Sequence, residues 1–356
     1  MKSEKYCVIM AGGAGVRFWP RSRRAKPKQF LDVVGGGKSS LRQTFERFAA
    51  MMPVENFVVV TVEEYRDLVL EHIPELNVEQ VLCEPVGRNT APSICYAAHH
   101  LLKKSPQAVM IVTPADHYVS CEAEFLEAVG ECSDFASKRG GVVTLGIRAT
   151  HPETGYGYIQ TSDFRTISKV KCFTEKPSRE VALMFLQHKE FYWNSGIFAC
   201  RASEIIETIE RHLPECGVLF RSISDDIATP KERASISRIY AECKPISIDY
   251  GVMERADNMY IKCGDFGWSD VGTWNSVHQL SARDDNDNAL DGDIFAFDTK
   301  GCVVSLPEDK VAVVSGLTDY IVVDTPDALL ICPRSEGQEI RKFADEVKYN
   351  KKDKHL

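Results

Sequence analysis

The residues with the clearest chemical potential lie near the start of the chain. Ala11-Gly12-Gly13-Ala14-Gly15-Val16-Arg17-Phe18-Trp19-Pro20 follows the first apolar run, and Lys26-Pro27-Lys28-Gln29 comes shortly after it. Glycines behind a strand let backbone approach a polyphosphate and point N–H groups at it. Arg17 adds a planar donor fork for phosphate oxygens, and Lys28 adds a second cation. A plain strand-to-helix turn would need glycine but neither cation. Two familiar phosphate loops fit less well. A dinucleotide loop, G-x-G-x-x-G, would need glycine where Phe18 stands. A Walker loop would match Gly37-Lys38-Ser39 but has Asp32 at its first glycine position. Gly35-Gly36-Gly37-Lys38 therefore reads as a flexible turn.

Two carboxylates are candidates for a metal. Asp116 stands in Thr113-Pro114-Ala115-Asp116-His117, at the end of a strongly apolar strand. Sheets with parallel strands bind ligands at that end. Mg²⁺ typically takes one or two carboxylates together with substrate phosphates. His117 reads as structural, because a phosphate nucleophile is already anionic near neutral pH and needs no base. Asp270 lies in Phe266-Gly267-Trp268-Ser269-Asp270-Val271-Gly272-Thr273-Trp274. Its plainer alternative is that Ser269-Asp270 caps a helix starting near Val271.

The elements that must position these groups alternate in type. Tyr6 to Met10, Phe57 to Thr61, Ala108 to Thr113 and Val142 to Ile147 read as strands. Leu41 to Met52, Ser93 to Lys104 and Phe125 to Lys138 read as helices. This alternation predicts an α/β fold with a Rossmann-like, mostly parallel mixed sheet flanked by helices. Less regular strands at 155–159 and 169–174 follow, then helices at 179–188 and 202–212. The polar break Asp284-Asp285-Asn286-Asp287-Asn288 marks a boundary, giving a catalytic domain over 1–286 and a small β-rich unit over 287–356. The latter has five short strand-like runs and a charged terminal helix at 337–349. Its weak self-similarity allows a short left-handed β-helix.

Composition narrows the classes further. A net charge of −8 argues against a general nucleic-acid binder. The twelve cysteines are scattered, with no C-x-x-C pair, and Cys7, Cys83, Cys95 and Cys200 sit in apolar stretches. They read as reduced core residues. Met1-Lys2-Ser3-Glu4-Lys5 leads into an apolar run too short for a signal peptide, and no span approaches membrane length. A cytoplasmic location is expected.

The loop in its longer form, A-G-G-x-G-x-R-x-W-P-x-S-R followed by P-K-Q-F-L, resembles sugar-1-phosphate nucleotidyltransferases, and among them the mannose-1-phosphate guanylyltransferase branch. Val16 stands where Thr is usual. The resemblance runs in order along the chain. Glu84-Pro85-Val86-Gly87-Arg88-Asn89-Thr90-Ala91-Pro92 resembles the segment along guanine and ribose, and Gly155-Tyr156-Gly157-Tyr158-Ile159 a sugar-contacting turn. Phe173-Thr174-Glu175-Lys176-Pro177 resembles the block that meets sugar hydroxyls and sugar phosphate. Trp193-Asn194-Ser195-Gly196-Ile197-Phe198 supplies an Asn for a further hydroxyl. Ser247-Ile248-Asp249-Tyr250-Gly251-Val252-Met253-Glu254 resembles the run before the family's second metal Asp, with Gly251 where Ala is usual.

The resemblance implies GTP and mannose 1-phosphate as substrates, GDP-mannose and pyrophosphate as products, Mg²⁺ as cofactor and a homodimer. It assigns Arg17, Lys28, Lys176 and Asp116 to catalysis. Gly12, Gly13, Gly15, Arg17, Glu84, Arg88, Asn89 and Thr90 fall to the nucleotide. Gly157, Glu175, Lys176 and Asn194 fall to the sugar phosphate, and Asp116 and Asp270 to the metal. The alternatives are the same chemistry on another hexose 1-phosphate or nucleotide, and a non-catalytic regulator that has lost such residues. From the length of the chain, no appended isomerase barrel is expected.

Overall fold

The structure, a computed structural model, describes residues 4–13, 15–351 and 355. Ala14 of the glycine loop and Met1 to Ser3 lie outside the described residues. The chain divides into two compact units that are not contiguous in sequence. One comprises residues 1–12, 45–115 and 119–268; the other comprises 13–44, 116–118 and 269–356.

The first unit is built on a nine-stranded sheet. Its strands are β1 (Lys5–Met10), β2 (Phe57–Val62), β3 (Val81–Glu84), β4 (Val109–Pro114), β5 (Val142–Arg148), β6 (Tyr158–Thr161), β7 (Ser168–Thr174), β8 (Phe191–Arg201) and β9 (Met259–Gly264), in the order β3-β2-β1-β4-β8-β5-β9-β7-β6. The block β3-β2-β1-β4 is parallel throughout. Strand β8 runs antiparallel to both β4 and β5. Parallel strands buried on both faces require near-continuous apolar sequence, and Cys7-Val8-Ile9 and Phe57-Val58-Val59-Val60 supply it. Successive side chains alternate faces. Val8, Val58, Val60, Met110 and Val112 enter one core with the helices Thr90–Lys104, Ala202–His212 and Glu232–Glu242. The alternate residues Cys7, Ile9, Val59 and Ile111 are equally buried, and the helix Glu122–Arg139 packs on strands β4, β5 and β8. The α/β reading holds.

Strands β3, β8 and β9 and the helices Pro214–Ser222 and Glu232–Glu242 have no clear sequence signature. Strand β3 is short, and β8 carries Asn194, Ser195 and Gly196 in its middle.

In the second unit, Ala289–Asp291, Val303–Ser305 and Tyr320–Asp324 stack as parallel rungs, with Ala289, Val303 and Ile321 in register. Asp293–Phe297 pairs in parallel with Val311–Ser315, and Leu329–Pro333 closes antiparallel on Tyr320–Asp324. These rungs form the short β-helix-like unit expected from the tail. So few strands cannot bury a core alone. Here Ala289, Val303, Ile321, Val323 and Leu330 share one apolar cluster with Phe18, Trp19, Val271, Trp274, Ile340 and Ala344. Trp274 is fully buried, its ring 5.3 Å from that of Phe18. The tail is thus packed on the segment that carries the Arg17 loop. All twelve cysteines are free, with Cys7, Cys95 and Cys200 buried and Cys83 half-buried. No described helix is long and apolar enough to cross a membrane.

Candidate active site

The glycine loop from Gly13 onward lies within the second unit, with Lys28, Asp116 and Asp270. Gly15 has φ +58°, and a Cβ there would stand 2.5 Å from the Lys28 Cβ and 2.9 Å from the Ser22 hydroxyl. Only glycine tolerates both the left-handed backbone and that crowding. The short 3₁₀ turn Val16–Phe18 follows, burying Phe18 while leaving Arg17 exposed. Gln29 donates its side-chain amide to the Gly13 carbonyl at 2.9 Å, tying the loop to the segment that carries Lys28. Gly13 has open space around it.

Lys28 organises this group. Its side chain is only 4% exposed, yet it carries a charge, and a buried charge must be paired. The ammonium lies 2.8 Å from the Asp116 carboxylate and donates to the Asp270 backbone carbonyl, also at 2.8 Å. Burial alone would raise the Asp116 carboxyl. The Lys28 ammonium, with His117 beside it, instead holds it below the usual carboxylate range. Asp116 is therefore ionised at neutral pH. Gly15, Arg17, Lys28, Asp116, Asp270 and Arg341 are among the residues lining one cavity of about 380 Å³.

Asp270 is not a helix cap. The helix that follows is Trp274–Leu280, and its cap is Thr273, whose side chain accepts from the Ser276 N–H. The carboxylate of Asp270 accepts instead from the Gly272 N–H at 2.9 Å, and Ser269 Oγ accepts from Val271 N–H at 3.1 Å. The expectation of a helix starting near Val271 is corrected accordingly: Val271 has φ +45°, outside the helical region. Two carboxylates on one cavity make an oxygen donor set suited to a hard divalent cation. Among the described residues no group of three His, Cys, Asp or Glu side chains forms a metal cage. Mg²⁺ needs none, because substrate phosphates and water complete its shell.

The residues expected from the sequence to meet a sugar phosphate lie within the first unit. Gly157 ends the turn before β6, and a Cβ there would stand 2.4 Å from a Glu175 carboxylate oxygen. Its carbonyl accepts from the Asn194 N–H at 2.8 Å, and the Lys176 N–H donates to the Tyr156 carbonyl at 3.2 Å. Lys176 adopts φ +48°, a conformation costly for a side-chain-bearing residue and held here by its surroundings. Its ammonium pairs with Glu175 at 2.6 Å and lies 5.8 Å from the Tyr250 ring centre. Burial opposes that charge, but the Glu175 carboxylate carries the Lys176 pKa above its ordinary value. The Lys176 side chain remains 46% exposed, so it can reach a ligand. The Asn194 amide is held on both sides, accepting from Thr144 Oγ at 3.0 Å and donating to Asp249 at 2.9 Å.

Asp249, which accepts the Asn194 amide, is a carboxylate that the sequence reading does not single out. It lies in the π-helical turn Asp249–Met253. Burial, then the neighbouring Glu175 charge, push its pKa up to about 6. The segment around it has a recognisable pattern, but nothing in the sequence distinguishes this carboxylate.

The nucleotide segment also lies in the first unit. Glu84 is 3% exposed and accepts from Ser93 Oγ at 2.7 Å and Tyr240 OH at 3.0 Å. Its other oxygen would lie 3.6 Å from a Cβ placed on Gly12. Arg88 donates through Nε to the Tyr240 carbonyl at 3.0 Å. Asn89, at φ 66°, caps the Thr90–Lys104 helix by accepting from the Thr90 N–H, and Thr90 Oγ accepts from the Ile248 N–H at 2.8 Å. Glu84 thus underlies the start of the glycine loop, while Arg88, Asn89 and Thr90 brace the segment beside it.

Residues 6–287 match the family described as nucleotidyl transferase. The chain belongs to the nucleotidyltransferase family. Residues 292–347 match a mannose-phosphate isomerase/GMP-like β-helix domain, in agreement with the rungs described above. Mannose-1-phosphate guanylyltransferase of Klebsiella pneumoniae is 36% identical over 362 residues, covering 98% of this chain and 75% of that protein. The protein of the same name from Escherichia coli strain K12 is 35% identical, covering 99% and 76%. The crystal structure of mannose-1-phosphate geranyltransferase from Thermus thermophilus superposes with a TM-score of 0.87 at 33% identity, covering 97% of this chain and 99% of that one. This nucleotidyltransferase is an enzyme.

The buried Glu84 gives a pH test. Burial pushes its pKa up to about 7, only partly offset by the Ser93 and Tyr240 hydrogen bonds. The folded protein therefore binds this proton more tightly than the unfolded chain. Its stability should fall as pH rises from the usual carboxylate range to about 7, by up to ~3 kcal/mol from this group. Glu84→Gln should flatten that slope and melt higher than wild type at pH 8. Chemical denaturation at pH 5 and pH 8 checks this, and an unchanged slope in the mutant would remove Glu84 as its source.

Proposed function

We propose that this enzyme transfers GMP from GTP to mannose 1-phosphate, giving GDP-mannose and pyrophosphate. The observation that carries the reading is the cavity on which Arg17, Lys28 and the carboxylates Asp116 and Asp270 converge behind a glycine loop. The names of the relatives, aligned over nearly the whole chain, support the substrate pair. In the reaction a phosphate oxygen of mannose 1-phosphate attacks the α-phosphorus of GTP in line. The new P–O bond forms as the bond to the β-phosphate oxygen breaks, and pyrophosphate leaves with those electrons. Such transfers ask the protein for positioning and charge stabilisation more than covalent chemistry.

In this reading Arg17 and the amides at Gly12, Gly13 and Gly15 hold the departing phosphates. Lys28 keeps Asp116 ionised and adds charge behind them. Lys176 holds the attacking phosphate against repulsion from the nucleotide, while Glu175 and Asn194 meet sugar hydroxyls beside Gly157. Glu84, Arg88, Asn89 and Thr90 shape the nucleoside side. Asp116 and Asp270 would hold Mg²⁺, which would neutralise phosphate charge when bound.

We also read residues 1–286 as the catalytic domain and 287–356 as an appended unit, a layout supported by the limits of the two family matches. The scattered free thiols support a reducing, cytoplasmic location. A homodimer is supported by the apolar face that Phe295, Phe297, Val311 and Val313 leave exposed, and sedimentation of a monomeric mass alone would reject it.

Two outcomes are expected. A hydrogen bond to a charged group is worth about 1.5–3 kcal/mol, so Arg17→Ala should impair use of GTP and pyrophosphate by roughly tenfold or more. Lys176→Ala should impair mainly mannose 1-phosphate. Steady-state kinetics in both directions separate the two, and identical patterns in both mutants would overturn the assignment of sides. Pyrophosphate release measured across nucleotides should favour GTP strongly over ATP and UTP, with ITP intermediate. A site that hydrogen-bonds the guanine edge leaves its own polar groups unpaired with other bases. Mannose 1-phosphate should be preferred over glucose 1-phosphate, less sharply. Equal kcat/KM for GTP and UTP would reject guanylyl specificity and leave the reaction class standing.

A further inference from the structure

We infer that Arg341, on the C-terminal helix Ile340–Lys351, is an additional phosphate-binding residue of the nucleotide site. The inference rests on the proposed nucleotidyl transfer and extends it to a part of the chain that carries none of the loop motifs.

Arg341 lines the same cavity as Arg17, Lys28, Asp116 and Asp270. The helix that carries it is anchored from below. Ile340 and Ala344 are fully buried, and Phe343 and Val347 pack on the same cluster, which contains Phe18 and Trp19. Positions 340, 343, 344 and 347 are one helical face. That face rests on the 3₁₀ turn bearing Arg17, and position 341 flanks it while remaining exposed.

The fold does not explain a cation at this position. Among the described residues Arg341 forms no ion pair or hydrogen bond. It stands in the first turn of a helix that has no acidic residue there. The positive end of the helix dipole disfavours a cation at that point. Its neighbour Lys342, by contrast, is paired with Glu339. An unpaired guanidinium beside a phosphate loop is suited to bidentate contact with phosphate oxygens. Of the other cations on the cavity, Lys28 is already engaged with Asp116 and the Asp270 carbonyl. Arg341 and Arg17 are the cations left exposed to meet a polyphosphate.

The test uses the full chain, with pyrophosphate and GTP as probes in titration calorimetry and steady-state kinetics. Arg341→Ala should weaken binding of both probes by about tenfold or more and raise KM for GTP equally, with KM for mannose 1-phosphate within about twofold of wild type. Arg341→Lys should recover part of the loss, because charge is restored without the planar fork. Lys342→Ala serves as the control and should bind like wild type. Thermal melts should place all three variants near wild type, since position 341 is exposed. Wild-type affinity for pyrophosphate in Arg341→Ala would overturn the inference, as would an equal loss in Lys342→Ala. If wild type makes no nucleotide-sugar yet Arg341→Ala still loses pyrophosphate, the proposed reaction fails and the phosphate contact stands.

Discussion

The pairing of one buried cation ties the glycine-loop segment to two distant parts of the chain. Lys28 lies under the glycine loop with almost no solvent to stabilise its charge, and it bonds the Asp116 carboxylate and the Asp270 carbonyl. Those partners lie far away in sequence, Asp270 by 242 positions. Leaving a buried charge unpaired costs several kcal/mol, so the fold gains by bringing both segments to one point. The same contact keeps Asp116 ionised and therefore available to a cation.

The β-helix-like tail follows a similar logic through packing. Its rungs are too short and too few to enclose a core. They complete one around Trp274 and Phe18 instead, with the C-terminal helix closing the cluster. The residues flanking Arg17 thereby belong to the tail's own hydrophobic core. Phe18 and Trp19 are buried there, while Arg17 beside them is exposed.

Around Lys176 and Asn194 the electrostatic arrangement is the opposite one, with carboxylates outnumbering the cation. The buried Glu175 and the partly buried Asp249 are neighbouring carboxylates, partly balanced by the half-exposed Lys176. Burial and the Glu175 charge both favour the protonated form of Asp249, while Asn194 donates a hydrogen bond to it. Gly157 makes room for this arrangement, because any side chain there would collide with Glu175. Asn194 is fixed by Thr144 and Asp249, so its orientation is set before any ligand arrives.

Much of this is legible from the sequence because it is local. Parallel strands buried on both faces must be apolar runs, so β1, β2, β4 and β5 can be read directly. The glycine loop, Arg17 and Lys28 stand close together along the chain, and their spacing alone points to phosphate. The terminal helix and most tail strands carry turn residues at each end. What the sequence cannot decide concerns partners brought together only by folding. Lys28 reads as a free phosphate ligand, and only packing makes it the counterion of Asp116. Asp270 has the spacing of a helix cap until Thr273 takes that place. Asp249 has no signal of its own, since its raised pKa comes from burial and from Glu175, 74 positions earlier (249 − 175). Local backbone preference is written residue by residue, whereas the environment of a charge is the sum of distant neighbours, and only the tertiary structure fixes that sum.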